Sequence, residues 1–327
     1  MNQILVDPNW LPSSINPENI LFDEISPMTL KNSAFLDERA MGRTGRSISV
    51  PIMHLLRELP KILKSKSELF EIFHISHVGS TFIARLLDEF GHVRVYREPT
   101  ILKGLAYLHR EFKDGVSPFS PERVLEIQRL IYSLLARNHK KTIIKHSSQN
   151  LIMPKNAKFE NLEQKPTLYL ITSLDNFIAH GISSQGLTAD ATNSGATRVK
   201  HFNSLASIDR LNLFELSKLQ RIALIWMSEV LKINSRYRPD LNDCLLDFDK
   251  TFSTKKRSEN IEMLAEHFEF NLTELDTDKI LSSKTWAKDS KGGLENSYSD
   301  RHKKIQKNKT SHEIEIADTI DWVRKLT

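Results

Sequence analysis

One stretch limits the possible folds more than any other: LFEIFHISHVGSTFIARLLDEFG, residues 69–91. Residues 69–76 have the Phe and Ile content of a buried strand. Residues 81–90 place Phe82, Ile83, Leu86, Leu87 and Phe90 on one helical face, and Gly91 stands where a helix can end in a left-handed conformation. Between them HVGST (77–81) leaves room only for a tight turn. A strand that passes straight into a helix needs a parallel neighbour reached by a crossover. The turn also has the makings of an anion site: a helix N-terminus offers unpaired amides and the positive end of its dipole, Gly79 permits close approach, and Ser80 and Thr81 add hydroxyls. The same residues suit an ordinary strand-to-helix junction, with glycine for the turn and serine or threonine as cap.

The rest of the chain repeats the pattern. Short apolar runs at 69–76, 93–98, 141–147, 167–173 and 244–249 read as strands, and most hold the uninterrupted apolar pairs of strands covered on both faces. TFIARLLDEF, PERVLEIQRLIYSLLARN and ELSKLQRIALIWMSEVLKI read as helices between them. The expected fold is α/β, three-layered around a central, mostly parallel sheet. Residues 1–68, with LPSS, INPEN and ISPM, are expected to form an irregular N-terminal annex, 69–250 the core, and 251–327 a helical part packed on that core. In the last part Ser253 or Thr254 is expected to cap one helix, and Thr310 with Glu313 to form a capping box before another. The polar segment SSKTWAKDSKGGLENSYSDRHKK between them has the length of a loop that covers a site.

Composition removes several classes. The single cysteine, Cys244, allows no internal disulfide or cysteine-rich metal site, fits a cytoplasmic location, and is expected to be a buried small hydrophobe. The first residues lack a basic stretch followed by an apolar one, and no run reaches the ~18 apolar residues of a membrane span, so neither leader nor span is expected. A net charge of +5 suits an anionic ligand. The runs KTFSTKKR (250–257) and RHKKIQKNK (301–309) carry no interleaved aromatics, so they read as solvated helix faces rather than a nucleic-acid surface. Neither G-x-S-x-G nor H-E-x-x-H occurs, which leaves serine-hydrolase and zinc-protease chemistry without a basis.

A nucleotide triphosphatase places a lysine in the turn and an acidic strand end on magnesium. Here the lysine is absent, and LLDFD (245–249) is the nearest imitation of the acidic end. Strand, then H-x-x-H-V-G-S-T, then helix, then V-x-V-x-R-E-P resembles the P-loop sulfotransferase superfamily, in particular its bacterial members. The likeness runs on through I-I-K with N-L-I (143–152), L-Y-L-I-T-S-L-D-N-F-I (168–178), A-L-I-W (223–226), L-L-D-F-D, a tyrosine-serine-arginine segment and D-W (321–322).

The resemblance implies a sulfuryl donor, 3′-phosphoadenosine-5′-phosphosulfate (PAPS), used without a metal, and a small-molecule or glycan acceptor. It implies that His77, Val78, Gly79, Ser80 and Thr81 hold the 5′-phosphosulfate, with His77 where the family commonly has a lysine or arginine. It implies Glu98 as general base at a strand's carboxyl end and Lys145 as the charge facing the transferring group. His146 follows Lys145 directly, so its side chain belongs to the opposite sheet face. For the 3′-phosphate the family often has an arginine and a serine after the fourth strand. This chain offers Thr172 and Ser173, then His180, Ser183 and Ser184, with Arg198, Lys288 and Lys291 as possible substitutes from elsewhere. An ATP-dependent kinase or hydrolase, and a non-catalytic nucleotide-binding protein, are the open alternatives.

Overall fold

The computed structural model describes residues 2–326 except 38, 41–44, 63–65, 92, 156–160, 207–210, 255 and 287–297. Two sheets organise the described residues. Strands β1 (Trp10–Ile15), β2 (Asn19–Glu24) and β3 (Ser47–Pro51) pair antiparallel in that order. The annex is thus more regular than its weak periodicity announces, and the register slips between Pro12 and Ser14, where the alternation breaks.

The second sheet holds β4 (Ser67–His74), β5 (Arg94–Arg97), β6 (Lys141–Lys145), β7 (Leu162–Gln164), β8 (Leu168–Ile171) and β9 (Cys244–Asp247). Its order is β5-β6-β4-β8-β9, all parallel, with β7 beside the start of β4. All five expected strands are present. Adjacent apolar residues explain why: Ile143 of β6 joins one core and Ile144 the other, as Val95 and Tyr96 do on β5. One core packs the annex and helices Thr100–Lys113 and Pro121–Ala136. The other packs helices Ser80–Glu89 and Arg257–His267, so the sheet is the middle layer of three.

The helix Ser80–Glu89 follows β4 directly, and Gly91 after it is left-handed at φ 68°. Helix Lys218–Arg236 opens with a capping box from Ser217 and Gln220. The expected caps further on are corrected. Arg257–His267 starts after Lys256 without a side-chain cap. Thr310 lies inside helix Tyr298–Ser311, its hydroxyl bonded back to the Gln306 carbonyl at 3.2 Å, so the next helix starts only after His312. Cys244 is half-buried in β9 rather than fully buried. No helix among the described residues is long and apolar enough to cross a membrane.

The annex is tied to the core by Arg97, fully buried at the end of β5. Its guanidinium donates to the carbonyls of Ser33 (2.8 Å), Lys31 (3.0 Å) and Leu30 and pairs with Asp88. The Leu36 amide donates to the Arg97 carbonyl at 2.7 Å. These bonds bring Phe35, Asp37 and Arg39 to the carboxyl edge of the parallel sheet.

Candidate functional site

A cavity of about 680 Å³ opens at that edge, over the ends of β4, β5 and β6. The turn His77–Thr81 forms its floor, and Glu98 and Lys145 line it. The amides of Val78, Gly79, Ser80 and Thr81 have no hydrogen-bond acceptor among the described residues, whereas Phe82 and Ile83 already donate to the Gly79 carbonyl. These are the orphan donors of a helix start, without a side-chain cap, on a turn that lines the cavity. Val78 contributes only main chain, its side chain being buried in the core; Ser80 and Thr81 are buried residues of the lining.

Gly79 sits at φ 79°, and a methyl group there would meet the Phe248 ring at 2.2 to 2.6 Å. The close approach that demands glycine is therefore made by a phenylalanine. Two other residues of this edge, His77 at φ 60° and Glu98 at φ 52°, are left-handed without being glycine. Such strain gathers where the surrounding structure needs a side chain held against its preference.

Glu98 accepts a hydrogen bond from the buried Lys145 ammonium, forming an ion pair across neighbouring strand ends. Its backbone amide also donates to the Lys145 carbonyl at 2.7 Å. Burial alone would raise the Glu98 pKa, but Lys145, His74 and Lys103 together hold it below the usual glutamate range. His74 lies beneath, 3.8 Å from the carboxylate, with its ring nitrogens 2.7 Å from the carbonyls of Ile75 and His146. Burial, then the Lys145 charge, push its pKa down to about 4. His146 points away from the cavity, as strand alternation requires. It stacks on Phe73 and bonds Glu71 at 2.9 Å.

Of the residues considered for the 3′-phosphate, His180, Ser183, Ser184 and Arg198 line the cavity. Thr172 and Ser173 are not brought to it: the Thr172 hydroxyl donates to Asp249 at 2.7 Å, and Ser173 stands at the N-cap position of helix Leu174–Ser183 without a side-chain cap bond. Lys288 and Lys291 lie outside the described residues, as does the middle of the loop expected to cover the site, 287–297, whereas its end, 298–304, belongs to helix Tyr298–Ser311. Arg198 is held between Asp190 (2.6 Å) and Glu229 (2.9 Å), and Glu229 also accepts from the Ser76 amide at 2.6 Å, fixing Arg198 relative to the turn.

Sequence reasoning missed the cation at the turn. Arg301 donates to the His77 carbonyl at 2.7 Å and to Asp249 at 3.1 Å. The run that contains it, read as a solvated face, instead lays helix Tyr298–Ser311 over Leu174–Ser183, where Lys309 meets Asp175 at 2.5 Å and Asn308 the Ala179 carbonyl at 2.8 Å. Lys304 joins Arg301 in the cavity wall. With Arg39, Lys103, Lys145 and Arg198, the described residues of the lining include six cations against Asp37, Glu98 and Asp190, an excess of three positive charges when the histidines are neutral.

No family model matches this chain, and no curated protein matches it. Among solved structures, the sulfotransferase domain from the curacin biosynthetic pathway is similar at 12% identity, covering 72% of this chain and 82% of that one, with a TM-score of 0.35. A likeness this distant carries no weight for activity. What the site does follows from its own residues.

Proposed function

We propose that the protein is a sulfotransferase that moves a sulfuryl group from PAPS to a hydroxyl of a small-molecule or glycan acceptor. One conjunction supports this reading above all. Four unpaired amides at a strand-to-helix turn share a cavity with a carboxylate and a lysine on adjacent strand ends.

The amides of residues 78–81, with the Ser80 and Thr81 hydroxyls, hold the 5′-phosphosulfate, and Arg301 supplies beside His77 the charge that the turn lacks. Ser183, Ser184 and Arg198 are left for the 3′-phosphate. Glu98 takes the acceptor's proton while the acceptor oxygen bonds to sulfur and the sulfur–oxygen bond to the phosphate breaks. The electron pair departs on the bisphosphate, where the amides and Lys145 meet the growing charge. The ion pair gives this step a built-in timing: a Lys145 drawn toward sulfuryl oxygens loosens its hold on Glu98, and the carboxylate becomes more basic when a proton must be removed.

The kinase alternative finds less here. In LLDFD, its candidate for holding magnesium, one Asp249 oxygen is taken by Thr172 and Arg301 and Asp247 accepts from the Lys250 amide at 3.1 Å, while the other Asp249 oxygen is buried without a partner among the described residues.

Calorimetric titration with 3′-phosphoadenosine-5′-phosphate, ADP and ATP, with and without magnesium, tests the proposal. A preference for the bisphosphate that is indifferent to magnesium is expected. A magnesium-dependent preference for ATP would overturn it.

A further inference from the structure

A second cavity, of about 520 Å³, is built on elements that also serve the first. Helix Thr100–Lys113 gives Lys103 to the first cavity and Arg110 and Lys113 to the second. The 3₁₀ turn Ser148–Ile152 gives Gln149 to one and Leu151 and Ile152 to the other. Helix Gly195–Ala206 divides likewise between Arg198 and His201. Seven residues of helix separate Lys103 from Arg110, a rise of ~10 Å, so the two spaces are neighbours and not one.

The charge of the second cavity is one-sided. Lys155, Lys200 and Arg238 have partners in Asp243, Asp114 and Asp240. Arg110, Lys113, Lys232 and Arg236 have no carboxylate within 4.0 Å among the described residues. The Nε atoms of Arg110 and Arg236 are buried without an acceptor. Two neighbouring groups, the Lys232 ammonium lying 3.4 Å from a His201 ring nitrogen, respond to burial and to these charges. Burial, and the charges of Arg198, Arg110 and Lys113 against the pull of Glu229, bring the Lys232 ammonium down to about 8. Burial with Lys232, Arg110 and Lys113 brings His201 down to about 4. Like charges concentrated in a half-buried space cost the fold stability, a cost that an anion removes.

The placement of these cations selects the anion. Arg110 and Lys113 are three apart on one helix and Lys232 and Arg236 four apart on another, so each helix presents a pair on a single face. Leu151, Ile152, Met153 and Pro154 form an apolar wall to the same space, whose volume is that of a small-molecule site. A single phosphate or carboxylate engages one pair. We infer that this cavity binds a small molecule bearing at least two anionic groups, using both helices at once, with its uncharged part against residues 151–154. The assignment goes beyond sulfuryl transfer and stands whether or not the first cavity is catalytic.

Calorimetry at low salt with inositol hexakisphosphate, sucrose octasulfate and citrate, and with inorganic phosphate as the single-group control, tests the inference and separates phosphate, sulfate and carboxylate sources. At least one multivalent probe should bind with one-to-one stoichiometry, about tenfold or more tighter than inorganic phosphate, and weaken as salt is added. Arg110→Gln with Lys232→Gln should weaken it by about tenfold or more and should melt no lower than the parent, since repulsion is removed. Lys113→Glu, at an exposed position, should weaken it too and serves if the double variant misfolds. Ser80→Ala with Thr81→Ala, in the first cavity, should leave it within about twofold. Failure of every multivalent probe to bind more tightly than inorganic phosphate would overturn the assignment. So would binding indifferent to both sets of second-cavity variants, or binding lost in the first-cavity variant.

Discussion

Gly79→Ala gives the sharpest test of how the turn is built, because two separate penalties can be worked out and separated. The backbone at φ 79° is left-handed, which costs a side-chain-bearing residue ~1–2 kcal/mol. The new methyl would also stand 2.2 to 2.6 Å from three atoms of the Phe248 ring. That ring is fully buried, stacked on Phe252 at 4.9 Å and edge-on to Phe82 at 6.1 Å, so it has little freedom to give way. Overpacking of this kind adds ~1–3 kcal/mol. The total, about 2–5 kcal/mol, is a large part of the ~5–15 kcal/mol that holds a typical domain folded. Urea denaturation followed by fluorescence, on the parent, Gly79→Ala, Phe248→Leu and the double variant, separates the parts. Against Phe248→Leu the alanine should cost only the ~1–2 kcal/mol backbone penalty. A cost below about 1 kcal/mol in the parent background, or an equal cost in both backgrounds, would refute the steric account of this glycine.

Glu98→Gln leaves the buried Lys145 ammonium without its partner and should destabilise the fold by about 3–5 kcal/mol, while Glu98→Gln with Lys145→Met should recover most of that loss in the same denaturation assay. Turnover should be lost in both. Because the Glu98 pKa is lowered in the folded state, its contribution is fully present above the unfolded value of roughly 4.3 and is lost as pH falls through the folded value, so between those two values the parent should lose stability on acidification more steeply than Glu98→Gln. Arg301→Gln removes the cation from the turn and should weaken binding of 3′-phosphoadenosine-5′-phosphate by about tenfold, read by calorimetry, with the helix Tyr298–Ser311 still seated through Lys309 and Asn308.

Much of this architecture was legible because its signals are local. A doubly covered strand needs adjacent apolar residues, and Ile143–Ile144 supplies them to two cores. Gly79, Glu98 and Lys145 stand next to such strands, so finding the strands placed them on one sheet edge. β7 has three residues and no periodicity to read, and the annex sheet is interrupted at Pro12–Ser14. Thr310 and Glu313 have the spacing of a capping box, but the Thr310 hydroxyl finds the Gln306 carbonyl one turn back, and the helix continues past it. Thr172 has the right chemistry for a phosphate, yet its hydroxyl is spent on Asp249. Arg301 lies 224 residues beyond His77, and no local pattern distinguishes an arginine that reaches the turn from its solvated neighbours. Residues recruited through tertiary packing are the ones that spacing alone does not reveal.

The two cavities treat positive charge in opposite ways, and the contrast bears on what each can do. In the first, Lys145 is held by Glu98, Arg198 by Asp190 and Glu229, Arg301 by Asp249 and Arg39 by Asp37. A cation fixed by a carboxylate gives up part of its pull on a ligand but keeps its position, and position is what stabilises charge that develops during a reaction. Arg110, Lys113, Lys232 and Arg236 in the second have no carboxylate within 4.0 Å among the described residues, with Lys232 3.4 Å from a His201 ring nitrogen and Arg236 over the Phe73 ring, so their charge is less compensated than in the first. That arrangement favours capture over chemistry, and its strength falls as salt is added. Helices Thr100–Lys113, Gly195–Ala206 and Lys218–Arg236 run from one environment into the other, with Glu229 securing Arg198 at the first site and Lys232, one turn further along the same helix, facing the second.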